Sequence, residues 1–240
     1  MPEPEINMDI VGEASKVGLK INTRKTEIMK IRSPDNQPII IDNVELKEVE
    51  KFTYLGCEIR KDGNIRNEVG IRIGKAGSAF RTLNKVWNAQ NISLSTKLKL
   101  FSSIVISILI YGCESWKGLK EIENRVRRFE SGCLRKIMNI RWFDHVSEVE
   151  LRRRTGQRSV VELIKSRRWR WYGHVLRMPQ YRLPKQANGW TPSGRRSVGR
   201  PKDTWRRTMT REMREKNLDQ NDVVTLAVDR TARRNFVADL

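Results

Sequence analysis

The sequence has little cysteine and little histidine. Three cysteines (Cys57, Cys113, Cys133) and two histidines (His145, His174) among 240 residues are too few and too scattered for a zinc ribbon or a disulfide framework. An odd cysteine count suits a reducing compartment. The most apolar stretch, Ile104 to Tyr111, is less than half a membrane span. The acidic start Met1-Pro-Glu-Pro-Glu has neither the basic residues nor the apolar run of a signal peptide. The expectation is an intracellular protein, nuclear or cytoplasmic, neither secreted nor bound to a membrane. The catalytic motifs G-x-x-x-x-G-K-[ST], G-x-S-x-G and H-E-x-x-H are all missing. His145 beside Asp144 is better explained as a solvated or capping residue, and Cys113 and Cys133 as small core residues in helical stripes.

What is present is positive charge. Lys and Arg number 48 against 28 Asp and Glu, a net +20, which points to an acidic partner or a polyanion. The excess is concentrated: residues 151–200 hold 14 basic residues and one acid, Glu162. A solvated helix face ordinarily mixes signs, so a block this one-sided repels itself unless an anion lies on it.

The pattern predicts an α+β chain. A short helix over Asp9–Val17 ends at Gly18, and Leu19–Asn22, Glu27–Ile31, Pro38–Ile41 and Val44–Leu46 alternate as a small antiparallel meander turning at Asp42-Asn43. Phe52–Ile59 reads as a further strand. After Asn64 the period changes to about 3.6. One stripe runs Ile65, Val69, Ile73, Ala76, Phe80, Leu83, Trp87, and a helix from Ser93 or Ser95 to Tyr111 is apolar nearly all round, as a central core helix is. A third helix carries Ile122, Val126, Phe129, Cys133 and Ile137. Capping boxes at Ser147-x-x-Glu150 and Ser159-x-x-Glu162 open two more, ending at Gly156 and Met178. Pro179–Arg200 reads as a loop or linker, Pro201 as the start of a helix holding Trp205, Met209 and Met213, and Asp219–Leu240 as one last helix.

Basic and aromatic residues interleave in Arg167-Arg168-Trp169-Arg170-Trp171-Tyr172-Gly173-His174, a composition suited to phosphates and unpaired bases. Ile164, Arg168, Trp171 and Val175 share one side of a helix. This makes Trp171 the expected core residue and leaves Trp169 with Arg167 and Arg170 as contact candidates. Gly173 would admit a close backbone neighbour. Arg195, Arg196 and Arg200, in Arg195-Arg196-Ser197-Val198-Gly199-Arg200-Pro201, partly match an extended arm that enters a minor groove, although a plain turn explains the Gly and Pro as well.

Several of these segments resemble, in order, the reverse transcriptases of LINE-type (non-LTR) retrotransposons. They are Val17-Gly18-Leu19-Lys20-Ile21-Asn22 with Lys25-Thr26-Glu27-Ile28-Met29, then Phe52-x-Tyr54-Leu55-Gly56, then Leu109-Ile110-Tyr111-Gly112-x-Glu114-x-Trp116. Further on come Trp171-Tyr172-Gly173-His174-Val175-Leu176-Arg177-Met178 and Gly199-Arg200-Pro201-x-x-x-Trp205. The resemblance implies a palm edge and primer-grip hairpin over 1–64, with Phe52, Tyr54, Leu55 and Gly56 at the grip. It implies a thumb over 65–118 with Arg66, Arg72 and Lys75 on nucleic acid, and a basic helical region over 119–178 that includes His174 and Arg177. A linker over 179–200 and a helical tail over 201–240 complete the division. The expected partner is RNA, an RNA/DNA duplex or target DNA, together with polymerase and endonuclease portions carried elsewhere if the chain belongs to a longer product. The family's catalytic Asp-Asp strand would precede Gly18, and no Asp-Asp pair occurs anywhere. The chain alone is therefore expected not to polymerise and to bind no cofactor, Mg²⁺ being implied only for the full-length parent. The alternative is a repurposed or inactive transposon remnant that acts, if at all, through protein contacts.

Overall fold

The computed structural model describes residues 5–31, 37–63, 65–190 and 203–240. The fold is α+β, with a few two-stranded ladders followed by helices, and the chain divides into two compact units, Met1–Glu68 and Val69–Leu240.

In the first unit, helix α1 (Glu5–Lys16) stops where expected. Gly18 sits at φ +74° and its N–H donates to the Ser15 carbonyl at 3.0 Å, a left-handed close that glycine adopts without strain. The chain from Leu19 to Asn22 is not a strand. Strands β2 (Ile40–Ile41) and β3 (Val44–Glu45) pair antiparallel around Asp42-Asn43, both at positive φ as a type I′ turn requires. The remainder of the expected meander is different. Strand β1 (Glu27–Ile28) pairs with β4 (Lys47–Glu48) in parallel, Glu27 opposite Lys47. The β2–β3 hairpin lies between them and returns the chain in its original direction. Segments two residues long, mostly exposed, carry too little alternation to specify a partner. Phe52–Ile59 is a hairpin rather than one strand: β5 (Lys51–Tyr54) pairs with β6 (Cys57–Arg60) across Leu55-Gly56, at φ +47° and +77°. Only Gly56 suits that turn; a leucine in the left-handed region costs about 1–2 kcal/mol. Among the described residues of this unit the buried apolar side chains are Ile41 and Leu46, whereas Leu19, Ile40, Phe52, Tyr54 and Leu55 are exposed.

The second unit is helical. Helix α2 (Ile65–Thr82) is separated by Leu83 from the short α3 (Asn84–Asn88), so the expected single helix is broken. The break lets Trp87 fold back. Its ring stacks on Phe80 at 5.1 Å and its Nε1 donates to the Phe80 carbonyl at 2.8 Å. Ser93 caps α4 (Leu94–Leu100), which runs on through a π-helical stretch, Phe101–Ile106, into α5 (Ser107–Leu109). Leu98, Phe101, Val105, Ile106, Leu109 and Ile110 are buried along it, but Lys99, Ser103 and Ser107 form an exposed face at steps of four, so the helix expected to be buried nearly all round keeps one side in solvent.

Helix α6 (Lys120–Ile137) buries Ile122, Val126, Cys133, Leu134 and Ile137, and also Glu130. That carboxylate accepts from Arg152 Nη2 at 2.8 Å and from the Val160 N–H at 3.1 Å, tying α6 to α7 (Glu148–Thr155) and to the start of α8 (Val160–Arg177). Ser147 caps α7, but Glu150 does not complete the expected box. It turns to Arg153 and Arg154, which hold its carboxyl down to about 2. The segment expected as a loop contains α9 (Leu183–Gly189). Thr204 caps α10 (Trp205–Glu215), so the described helix starts after Pro201, which lies outside the described residues. The expected last helix is two, α11 (Gln220–Val228) and α12 (Arg230–Ala238), divided at Asp229, whose side chain accepts from the N–H groups of Thr231 and Ala232. Gly118 is packed under α10: a Cβ there would meet Thr208 Cγ2 at 2.7 Å, and its N–H donates to Thr208 Oγ1 at 3.0 Å.

Cys113 and Cys133 are buried core residues, and burial pushes both thiols from 9.0 up to about 12. The folded value lies above the unfolded one. The stability they contribute is therefore complete below about pH 9 and lost as pH rises towards 12. A thiol reagent added to native protein at pH 8 should label Cys57 and spare the other two, and the urea midpoint should fall between pH 9 and 12. Rapid labelling of Cys113 in the folded state would contradict this.

Candidate nucleic-acid interface

Helix α8 forms because its ends are specified locally. Ser159 and Glu162 make the reciprocal capping box, the Ser159 N–H donating to Glu162 Oε2 at 3.2 Å, and Pro179 stops the helix after Met178. Two sides of α8 are buried. Val160, Val161, Ile164 and Val175 are in the core, and Trp169 and Tyr172 pack with Met209, Met213, Val223 and Val237 from α10, α11 and α12.

The facing expected for the tryptophans is reversed. Trp169 is 3% exposed and Trp171 40%. Trp169 Nε1 donates to Glu212 Oε2 at 2.9 Å, and Arg168 Nη1 pairs with Glu212 Oε1, the Arg168 and Glu212 side chains being 3% and 4% exposed. Burial raises the Glu212 pKa above the ordinary carboxylate value, and Arg168 offsets part of that rise. Arg168 and Trp169 thus serve the interior of the fold. Periodicity alone predicts one buried stripe on α8, but the C-terminal helices bury a second.

What remains outside is a third stripe: Arg167, Arg170, Trp171, His174 and Arg177, stepping by three or four residues along one face. Arg170 and His174 are exposed, and neither is paired with an acid among the described residues. Arg167 is half-buried; its Nη1 donates to the Ile110 carbonyl at 3.3 Å and lies 3.7 Å from Glu114. Arg177 Nη1 and Arg233 Nη1 both donate to the Ala227 carbonyl, at 3.0 and 2.9 Å, near the C-terminus of α11, where the helix dipole favours cations. Burial and the neighbouring Arg233 lower the Arg177 pKa. The close neighbour of Gly173 is the Arg233 side chain, whose Cδ would lie 3.2 Å from an added Cβ, rather than another backbone.

The other candidates are dispersed. Arg72 is buried with its guanidinium 4.5 Å above the Tyr111 ring, whereas Arg66 and Lys75 are exposed on α2. Phe52, Tyr54 and Leu55 are exposed at and beside the turn of the β5–β6 hairpin, with Gly56 completing it. Arg195, Arg196 and Arg200 lie outside the described residues. Trp171 was missed as a surface residue, although its i+3 and i+4 spacing with Arg167, His174 and Arg170's face was visible in the sequence. Among the described residues no three His, Cys, Asp or Glu side chains are placed to hold a metal ion. No described helix is long and apolar enough to cross a membrane.

The chain is similar to a protein of Caenorhabditis elegans. That relative is named "Putative uncharacterized transposon-derived protein" and is 28% identical over 236 residues, covering 92% of this chain and 84% of its own length. No family model matches the chain, and no solved structure matches it.

Proposed function

We propose that this chain is a nucleic-acid-binding protein of transposon origin, descended from the C-terminal part of a non-LTR retrotransposon reverse transcriptase. The observation that carries the binding is the outer face of α8, where Arg170, Trp171 and His174 are exposed within a stretch, 163–190, that contains no acid. The name of the nematode relative supports the transposon origin, and the ordered motifs support descent from the polymerase. On this proposal β5–β6 corresponds to the primer-grip hairpin and the helices from α2 to Trp116 to the thumb. The outer face of α8 holds element RNA, an RNA/DNA duplex or target DNA. The role is holding rather than catalysis, because no Asp-Asp pair is present to clamp the metals of a polymerase.

The test is charge reversal on the stripe. Arg170→Glu with His174→Glu should weaken binding of a labelled RNA/DNA duplex by roughly tenfold or more, as loss of phosphate contacts does, measured by fluorescence anisotropy. Arg128→Glu, at an exposed position on α6, serves as the control. An equal loss in the control would mean that net charge alone, and not this face, accounts for binding.

A further inference from the structure

We infer that the groove between α8, α9 and α10 seats an unpaired nucleobase of a single-stranded segment, an inference that rests on the nucleic-acid binding proposed above. The groove encloses about 600 Å³ and is lined by Trp171, Pro184, Asn188, Trp190, Trp205 and Arg206, among others. Trp171 is 40% exposed and Trp190 64%.

The floor of the groove is fixed in advance. Trp205 Nε1 donates to the Glu114 carbonyl at 2.8 Å, and its ring meets Tyr172 at 5.6 Å and Trp171 at 5.2 Å, the latter two indoles standing nearly perpendicular at 84°. On the opposite rim, the Trp190 N–H closes α9 onto the Gln186 carbonyl at 3.0 Å, and its own carbonyl accepts from Arg206 Nη2. The indoles are therefore carried on anchored backbone, and little ordering remains to be done on binding. Leaving such large apolar rings facing water forfeits the gain from burying them, which a flat apolar partner would restore.

Charge selects the occupant. A nucleotide joins a flat base to a phosphate, and the groove joins indoles to Arg206 with Arg170 beside Trp171 on α8. From residue 163 to 190 there is no acid, and Asp203, next to Thr204, is the nearby exception in sequence. A proline-rich peptide could fill an aromatic groove but would leave this excess of cations unanswered. A duplex keeps its base faces stacked inside and cannot offer them to an indole.

The experiment uses the full chain with a labelled 12-nucleotide single strand of mixed sequence and, separately, its 12-base-pair duplex. Trp190→Ala should weaken single-strand binding about tenfold, the size of one lost base stack. It should change duplex binding less than twofold, and Trp190→Phe should recover most of the loss. Trp142→Ala, at a tryptophan 87% exposed elsewhere on the chain, should change neither. Unchanged single-strand binding in Trp190→Ala overturns the inference, as does an equal loss on duplex or tighter binding of a proline-rich decapeptide than of the single strand. Failure of the unaltered chain to bind either oligonucleotide overturns the proposed function itself, whereas salt-sensitive binding indifferent to Trp190 overturns only the groove.

Discussion

Replacing Glu212 by Ala is expected to lower the stability of the protein by about 3–5 kcal/mol, the usual cost of leaving a buried charge without its partner. Arg168 would be left in the interior with its guanidinium unpaired, and its Nε already has no hydrogen-bond partner. Trp169 Nε1 would lose its acceptor as well. The double variant Arg168→Met with Glu212→Leu removes both charges and should recover much of the loss, because well-packed apolar residues commonly replace a buried ion pair without penalty. Urea unfolding followed by circular dichroism checks both. A double variant as unstable as Glu212→Ala would show that the loss comes from packing rather than from an orphaned charge. The location gives the variant its reach: Glu212 lies on α10 and its partners on α8, so the pair joins the C-terminal helices to the helix that carries the proposed interface.

The second large effect is expected from salt. Residues 163–190 contain seven Lys and Arg; Lys165, Arg167 and Arg168 pair with Glu215, Glu114 and Glu212, which leaves Arg170, Arg177, Arg182 and Lys185 to face an anion. If each neutralises one phosphate, the log-log slope of duplex affinity against salt is about −3.6, and affinity falls by about 10² between 50 and 200 mM. On single strands the slope is shallower, about −0.7 per phosphate. Anisotropy titrations across that range decide the matter. A flat dependence would remove the electrostatic basis of the proposal, and a slope much steeper than about −3.6 would place part of the binding outside α8 and α9.

Much of the second unit was legible because its signals are local. Ser93, Ser147 and Ser159 cap their helices, and Gly156 closes α7 at φ +61°. A cap involves a side chain and a backbone group within three residues, so the sequence contains the whole interaction. The apolar stripe of α6 was equally readable, since a helix with one buried face displays it at fixed spacing.

Three features were decided only by tertiary structure. The parallel pairing of β1 with β4 joins segments twenty residues apart and mostly exposed, and pairing over that distance leaves no trace in alternation. The break at Leu83 goes with the contact of Trp87 on Phe80, which propensity does not register. The exchange of Trp169 and Trp171 between core and surface is the most consequential. Periodicity shows that α8 has an apolar side but not how many neighbours cover it, and the arrival of α10, α11 and α12 buries a second side. By itself the sequence determined where α4 begins and where α7 and α8 begin and end, together with the α+β character and the concentration of positive charge. The docking of the C-terminal helices decided which aromatic and which arginines on α8 meet solvent, because burial depends on partners distant in the chain, and a helical repeat encodes only its own face.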